Sequence, residues 1–490
     1  MFFILFIIIS IVHLVFPQDH LSDCTHLLLP SLCQCYHSGD KSQLRCSNIQ
    51  LESLPRLTIN MQWNALDFSF NQLTLIDDYL FSKIYVEKLS LKFNAIETIQ
   101  TTAFDQIENL QELDLSQNQL KEFDPRILIS PGETLGKSSS IRNHFLIFLP
   151  LEIFDLSFNP LSYLNLGEIF LHLPVLRRFH AISCQLNDTS LDTLLKFTSH
   201  AFHSVQLIDL SSNQLTSLCK NLFDSFSHLV ELRLNNNQIS MIDNYLLYSL
   251  NSLKFVDLAN NSLEILPNLF SSSLEYFNLS SNDLQYFDDY FLANLHSIRV
   301  IDFNSNERLH SISSRSFCFV NLTNLEKVSL RSTNLSSVQN FSEFFCRLST
   351  QKQTRLLDLN DNMNLQCHCA LIQYERYLLD YSQLTCTQQG QDRYFISNIA
   401  HTFSNCTWMI NCYHENLCRE WEIERLILDG TCYRKNQRDL IKPMTTMMSN
   451  FEWENSTENS TRWNETFNGV SMNRFDLKYF FIGLFLTFLQ

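Results

Sequence analysis

The sequence predicts an α/β solenoid: short parallel strands stacked coil on coil, with a cysteine-bonded cap at each end. Three observations carry that expectation. A phrase with strand-like alternation, ending in asparagine, recurs along the middle of the chain. Cysteines cluster just before its first copy and just after its last. Glycine is scarce and phenylalanine abundant, 8 and 40 of 490 residues, whereas an enzyme of the α/β type spends glycine on turns and ligand loops.

The phrase reads LDFSFNQL (66–73), LSLKFNAI (89–96), LDLSQNQL (113–120), FDLSFNPL (154–161), IDLSSNQL (208–215), LRLNNNQI (232–239), VDLANNSL (256–263) and FNLSSNDL (277–284). Weaker copies are FHAISCQL (179–186), IDFNSNER (301–308), VSLRSTNL (328–335) and LDLNDNMN (357–364), which makes twelve, most of them 21 to 29 residues apart. In each, the alternation of a short strand sends Leu113 and Leu115 inward and Asp114 outward. One coil cannot bury its apolar side alone, so coils must stack and share a core. The key position after the strand is Asn71, Asn94, Asn118, Asn159, Cys184, Asn213, Asn237, Asn261, Asn282, Asn306, Thr333 or Asn362. An amide there can pair backbone groups of its own and the adjacent coil. Cys184 and Thr333 also carry a donor and read as substitutes in that ladder. Phe81, Phe104, Phe223, Phe291, Phe317 and Phe344 follow their key positions by about 10 residues and should fill the outer side of each coil.

This pattern resembles the leucine-rich repeat, L-x-x-L-x-L-x-x-N-x-L. The resemblance implies a right-handed horseshoe with a parallel sheet on its concave face over residues 53–365. The flanks extend it. Cys24, Cys33, Cys35 and Cys46 (residues 19–52) and Cys367, Cys369, Cys386 and Cys406 (within 366–435) resemble the cysteine caps of extracellular members of that family. There the first cysteine of a cap usually pairs with the third and the second with the fourth, although spacing alone does not fix connectivity. Zinc is the competing reading of the CHC at 367–369; the solenoid context favours disulfides. Cys318 and Cys346 are one coil apart and suit a bridge, and Cys219 has no obvious partner. The step from Asn118 to Asn159 is long, with its excess near 130–145: a binding loop, an excursion without a role, or an artefact of the gene product.

Residues 1–18 contain the apolar run Phe2–Phe16, read as a signal peptide, with an uncleaved anchor as the alternative. Residues 436–470 are polar and sequon-rich, a glycosylated stalk. Residues 471–490 end in an apolar run too short to span a bilayer as a helix. A small residue, a spacer and such a tail describe a lipid-attachment signal, with Asn468 or Gly469 modified; a truncated span or a plain hydrophobic end are the rivals.

The net charge of −16 argues against nucleic acid. GETLGKS (132–138) is one residue short of a P-loop, and HENLC (414–418) lacks the second histidine of a zinc-protease helix. No catalytic set, metal site or cofactor is expected. The residue between the two inward positions of each phrase should face out from the sheet: Asp67, Ser90, Asp114, Asp155, His180, Asp209, Arg233, Asp257, Asn278, Asp302, Ser329 and Asp358. Seven of these are Asp, either a solvated strand face or an acidic strip for a basic partner. Phe70, Phe93 and Phe158, with Phe255 and Tyr276, fall on or beside that face as contact anchors. N-glycosylation sequons occur at Asn187, Asn260, Asn278, Asn321, Asn334, Asn340, Asn405, Asn455, Asn459 and Asn464. Asn260 and Asn278 read as lying on neighbouring concave strands, so a partner should use the amino-terminal half, with Asp67, Asp114, Asp155, Phe70, Phe93 and Phe158. The family resemblance, which extends to chaoptin- and connectin-like adhesion proteins, the Nogo receptor and Toll ectodomains, implies cell-surface protein recognition in adhesion or as a co-receptor. An innate-immune ectodomain and a secreted matrix-binding protein are the alternatives. The implied partner is an extracellular or cell-surface protein, with the membrane reached through the lipid anchor or the hydrophobic end.

Overall fold

The computed structural model describes residues 21–22, 30–132 and 145–396, with short breaks of which 58–61, 288–291, 318–322, 338–355 and 388–392 are the longer. These residues belong to one compact unit, 1–432. Residues 1–20 and 397–490, with Asn468 and Gly469, lie outside them. So do Cys24, Cys318, Cys346, Cys369 and Cys406, and the sequons at Asn321, Asn340, Asn405, Asn455, Asn459 and Asn464.

One 15-stranded sheet runs through the unit. It begins with cap strands Leu21–Ser22, Gln34–Ser38 and Lys41–Arg45, paired antiparallel. From Lys41–Arg45 onward the pairing is parallel, and each of the twelve phrases supplies one strand, from Gln62–Asp67 to Leu357–Asp358. A short strand with a buried–exposed period fits this place because only one face of it meets the core. Leu113 and Leu115 are buried to the last percent, and Asp114 between them is not. The returning side of the coils is mostly turn. Short parallel pairs, such as Leu75–Ile76 with Thr98–Ile99, stack there too. Helix Leu166–His172, capped by Asn165, and the single turn Asp188–Leu191, capped by Asn187, replace the turn in two coils. Phe81, Phe104, Phe223 and Phe317 are all buried in the core, and the rings of Phe81 and Phe104 stack across coils at 5.7 Å. Phe291 and Phe344 lie outside the described residues.

The key asparagines form the expected ladder. Asn118 Nδ2 donates to Leu115 O in its own coil at 2.9 Å and to Leu91 O in the preceding coil at 3.1 Å. Its Oδ1 accepts from Ile96 N at 3.0 Å. The same three bonds recur at Asn71, Asn159, Asn213, Asn237, Asn261, Asn282 and Asn306. Cys184, a free and buried thiol, keeps only the donor half, Sγ to Leu156 O at 3.3 Å. Burial pushes that thiol up to about 12, so it stays protonated and can donate. The acceptor it lacks is replaced locally, since Leu161 N turns to Asn159 O at 2.8 Å. Thr333 donates to Leu330 O in its own coil at 3.3 Å.

Each cap contains one described bridge, Cys33–Cys46 and Cys367–Cys386. These are the second-to-fourth and first-to-third pairings that the resemblance implied. Cys367 is therefore not available as a metal thiolate. Cys35 is disulfide-bonded as well, and so is Cys219, for which the sequence offered no partner.

The long step between Asn118 and Asn159 does not interrupt the stacking. Glu112–Asp114 pairs directly with Ile153–Asp155, and Asn159 Nδ2 reaches back to Leu115 O at 2.9 Å. The extra residues leave the coil after the 3-10 turn Pro125–Leu128 as an antiparallel stem, Ile129–Gly132 with Phe145–Phe148. Its connection, 133–144, lies outside the described residues.

Gly167 marks a close approach between coils. A Cβ placed there would stand 2.3 Å from Phe197 Cδ2 and 2.6 Å from the Thr193 carbonyl oxygen, a backbone atom that cannot swing away. Gly167→Ala is expected to cost about 1–3 kcal/mol by overpacking, read as a lowered midpoint in chemical denaturation. An unchanged midpoint would contradict that packing.

Candidate recognition surface

Two rows of side chains cross the sheet face. The first is the predicted strip. Asp67, Ser90, Asp114, Asp155, His180, Asp209, Arg233, Asp257, Asn278, Asp302, Ser329 and Asp358 are register partners from strand to strand without a slip. Neighbours are therefore about 4.8 Å apart along one continuous line.

The acids of this line have a structural task that the composition argument missed. Asp114 Oδ1 accepts from Ser116 N at 3.0 Å and Ser116 Oγ at 2.6 Å. Asp67 does the same with Ser69, Asp209 with Ser211 and Asp358 with Asn360. Asp155, Asp257 and Asp302 each accept the amide N–H two residues on. These are side-chain turns that satisfy the backbone as it leaves the strand. Asn278 makes an identical pair of bonds with Ser280, at 3.1 and 2.8 Å, so the turn needs the oxygen and not the charge. Asp209 and Asp358 are buried and offer little to a partner.

Burial raises the carboxyl of Asp114, and the neighbouring Asp155 adds to the rise while the Ser116 hydroxyl opposes it. Burial likewise raises Asp257 and Asp302. For a carboxyl whose folded value lies above its unfolded one, the folded state holds more protons, and stability falls as pH rises through that interval. Asp114→Asn keeps the turn, as Asn278 shows, and removes that penalty. The variant is expected to melt no lower than wild type at pH 7, with an advantage that shrinks toward pH ~4. Thermal melts at the two pH values check this; a loss at pH 7 that disappears in acid would contradict it.

The second row has no signature in hydrophobic pattern. The residue just before each key position has a left-handed backbone, φ between 52° and 60°, at all twelve coils. Asn and Gly suit that region; a bulky residue there is uncommon. Yet Phe70, Phe93 and Phe158 occupy it, with φ of 57°, 53° and 58°. They are 46%, 41% and 45% exposed, so their rings are presented to solvent and not to the core. Phe70 and Phe93 stack at 4.4 Å with planes 10° apart. Gln117 fills the row between Phe93 and Phe158, and polar Ser or Asn fills it from Ser183 to Ser332. Phe255 and Tyr276 are half-buried on the strands, stacked on each other at 4.7 Å, and so are not anchors of the exposed kind.

Sequon positions divide the face. Asn278 is on its strand in the acidic line. Asn260 is not on a strand, as the phrase suggested. Strand Phe255–Asp257 ends before it, and Asn260 sits at the left-handed step of the second row, exposed. Its amide donates to Asn236 Oδ1 at 2.7 Å. Asn187 is exposed at a helix N-terminus, and Asn334 follows key residue Thr333. The amino-terminal half of both rows, through Phe158, contains no sequon.

Family profiles agree with this architecture. A family profile described as leucine rich repeat matches residues 62–120, 84–130 and 203–263, and one described as BspA type leucine rich repeat region (6 copies) matches 271–368. The molecule is a leucine-rich repeat solenoid with a disulfide at each end. Among curated proteins, leucine-rich repeat-containing protein 3 of Danio rerio is 33% identical over 94 residues, 19% of this chain and 35% of the relative. The chain thus spans about a third of the relative's length. Among solved structures, human 5T4 (Wnt-activated inhibitory factor 1, trophoblast glycoprotein) aligns with a TM-score of 0.36 and 22% identity, over 49% of this chain and 82% of that one. The LRIM1/APL1C complex aligns with a TM-score of 0.46 and 18% identity, over 71% and 62%.

Proposed function

We propose that this chain is an extracellular protein-recognition scaffold, acting at the cell surface in adhesion or as a co-receptor. Its protein partner is engaged by the amino-terminal half of the sheet face. One observation carries the reading: Phe70, Phe93 and Phe158 stand exposed beside the in-register line Asp67, Ser90, Asp114 and Asp155, while the sequons Asn260 and Asn278 fall on the other half. Exposed aromatic rings beside polar groups are the usual anchors of protein interfaces. Solenoids present such rows over an extended surface. The disulfides at both ends support assembly in an oxidising, extracytoplasmic compartment. Glycans at Asn260 and Asn278 would stand in both rows and keep a partner to the uncovered half.

The test must separate charge from folding. Alanine at the acids would remove the backbone turns, whereas asparagine preserves them, as at Asn278. The triple variant Asp67→Asn, Asp114→Asn, Asp155→Asn is expected to appear at the surface of expressing cells at wild-type level and to bind partner cells about tenfold more weakly, a loss of ~1.4 kcal/mol. Undiminished binding by the triple variant would defeat the assignment of this face.

A further inference from the structure

His203 and His228 stand one coil apart on the loops that lead into strands Leu207–Asp209 and Glu231–Arg233. Their spacing in sequence has no ligand signature, so only the stacking of coils brings them together. The two rings are 5.5 Å apart between centroids, with their planes at 84°. One hydroxyl ties them: Ser227 Oγ is 2.9 Å from His203 Nδ1 and 3.1 Å from His228 Nδ1. The backbone beneath is fixed. Phe202, next to His203, is buried against Phe170 and Phe226, and its N–H donates to Ser225 O at 2.7 Å. Leu229, next to His228, is fully buried, and its N–H donates to Phe226 O at 3.1 Å. Both imidazoles are nonetheless exposed, and neither Nε2 has a hydrogen bond or ion pair among the described residues.

We infer that His203 and His228 form a site for a divalent transition-metal ion, Zn²⁺, bound through their Nε2 atoms. The hydroxyl argues for these atoms. It has one proton and can donate to only one ring, so the other ring, when neutral, must donate to it through Nδ1–H. That ring's lone pair is therefore on Nε2. In the bound form both rings keep a proton on Nδ1 and donate to the two lone pairs of Ser227 Oγ. A histidine ligand ordinarily gives its other N–H to such an acceptor, which fixes the tautomer and orients the ring. The spacing agrees, since two imidazoles at about 2.0–2.1 Å from one tetrahedral ion have centroids roughly 5 Å apart. Imidazole nitrogen suits zinc and its neighbours, whereas calcium and magnesium take oxygen. No group of three His, Cys, Asp or Glu gathers as a metal site among the described residues. Two positions on the ion thus stay open to water or to a donor side chain of a docked protein, as in an exchangeable site and unlike a closed structural one. The pair lies on later coils than Phe158 and stands independently of the proposed recognition face.

Footprinting of the purified full chain with diethyl pyrocarbonate, which carbethoxylates a free imidazole nitrogen, tests this. Labelling is read residue by residue by peptide mass spectrometry, with and without Zn²⁺ as the only added metal. Zn²⁺ is expected to abolish labelling of His203 and His228 together, with one concentration dependence for both. His200, His296 and His310 are also exposed and should stay labelled. Ca²⁺ should protect none of the five. Ser227→Ala is expected to raise the protecting Zn²⁺ concentration by about tenfold, as loss of an outer partner does. His203→Asn should remove the protection of His228. Protection of neither histidine, of one alone, or of all five alike would overturn the site. Unchanged protection of His228 in His203→Asn would overturn it too, and an unshifted Ser227→Ala would overturn the role of the hydroxyl. The wild-type footprint decides the site even where a variant fails to fold.

Discussion

Replacing Asn118 with leucine is expected to cost roughly 2–4 kcal/mol of folding stability, the largest effect of any single side chain considered. The substitution leaves Ile96 N without a partner and takes from Leu91 O and Leu115 O one of two amide donors, the others being Asn94 Nδ2 and Asn159 Nδ2, each at 2.9 Å. All three are interior backbone groups between two coils, where water cannot replace the amide. The unpaired donor costs about 1–3 kcal/mol and each lost second bond to a carbonyl about 0.5–1.5 kcal/mol, and the losses are not fully additive. Net stabilities of about 5–15 kcal/mol leave little margin for such a loss. In a solenoid it also uncouples the coils on either side. Asn118→Cys should be milder, because Cys184 shows that a thiol can donate to the preceding coil while the backbone supplies the missing acceptor. Secreted yield and urea midpoints should rank wild type above Asn118→Cys and Asn118→Leu lowest. Leucine melting with the wild type would contradict the ladder's energetic role.

The largest functional effect is expected from a glycan placed in the row of exposed rings. Gln117→Asn with Gln119→Ser makes an Asn-Asn-Ser sequon that reproduces the natural Asn260-Asn261-Ser262 in the same position of another coil. The backbone accepts it. Gln117 already has φ 57° and Asn260 φ 53°, a conformation asparagine adopts readily. Gln119 is exposed, and its backbone N–H donates to Ile96 O, a bond that serine retains. A glycan there would stand between Phe93 and Phe158 and over Asp114. Binding to partner cells is expected to fall by tenfold or more, with surface expression unchanged. A small-probe mutation removes one contact; a glycan excludes the partner's whole surface, which is why this effect should exceed that of the triple asparagine variant.

The parts of the molecule that rest on periodicity were legible without coordinates. The spacing of Leu, Asn and Phe foretold the strands, the ladder and the buried outer rings, because each follows from one residue type at a fixed interval. The cap bridges Cys33–Cys46 and Cys367–Cys386 came through resemblance, not through spacing. What was hidden is conformational. Nothing in the side chain of Phe70 announces a left-handed backbone, which is imposed by the turn that brings Asn71 inward. The strand of each coil is shorter than its eight-residue phrase, so Asn260 was placed on a strand that ends at Asp257. The turn-forming role of the acids did leave a signal. Asp is followed two residues later by Ser in Asp67–Ser69, Asp114–Ser116, Asp155–Ser157 and Asp209–Ser211. That recurrence marks side-chain turns at strand ends, and reading it would have directed the mutagenesis to asparagine at once.

Recognition by the amino-terminal half of the face, and not by the whole of it, is tested most directly by two glycans in one assay. The first is the sequon at 117; the second is Ser305→Asn with Glu307→Ser, in the same row beyond Asn278. With both proteins at equal level on the cell surface, binding of partner cells should be lost with the glycan at 117 and retained with the glycan at 305. Retention at 117, or loss at 305 alone, would contradict the account.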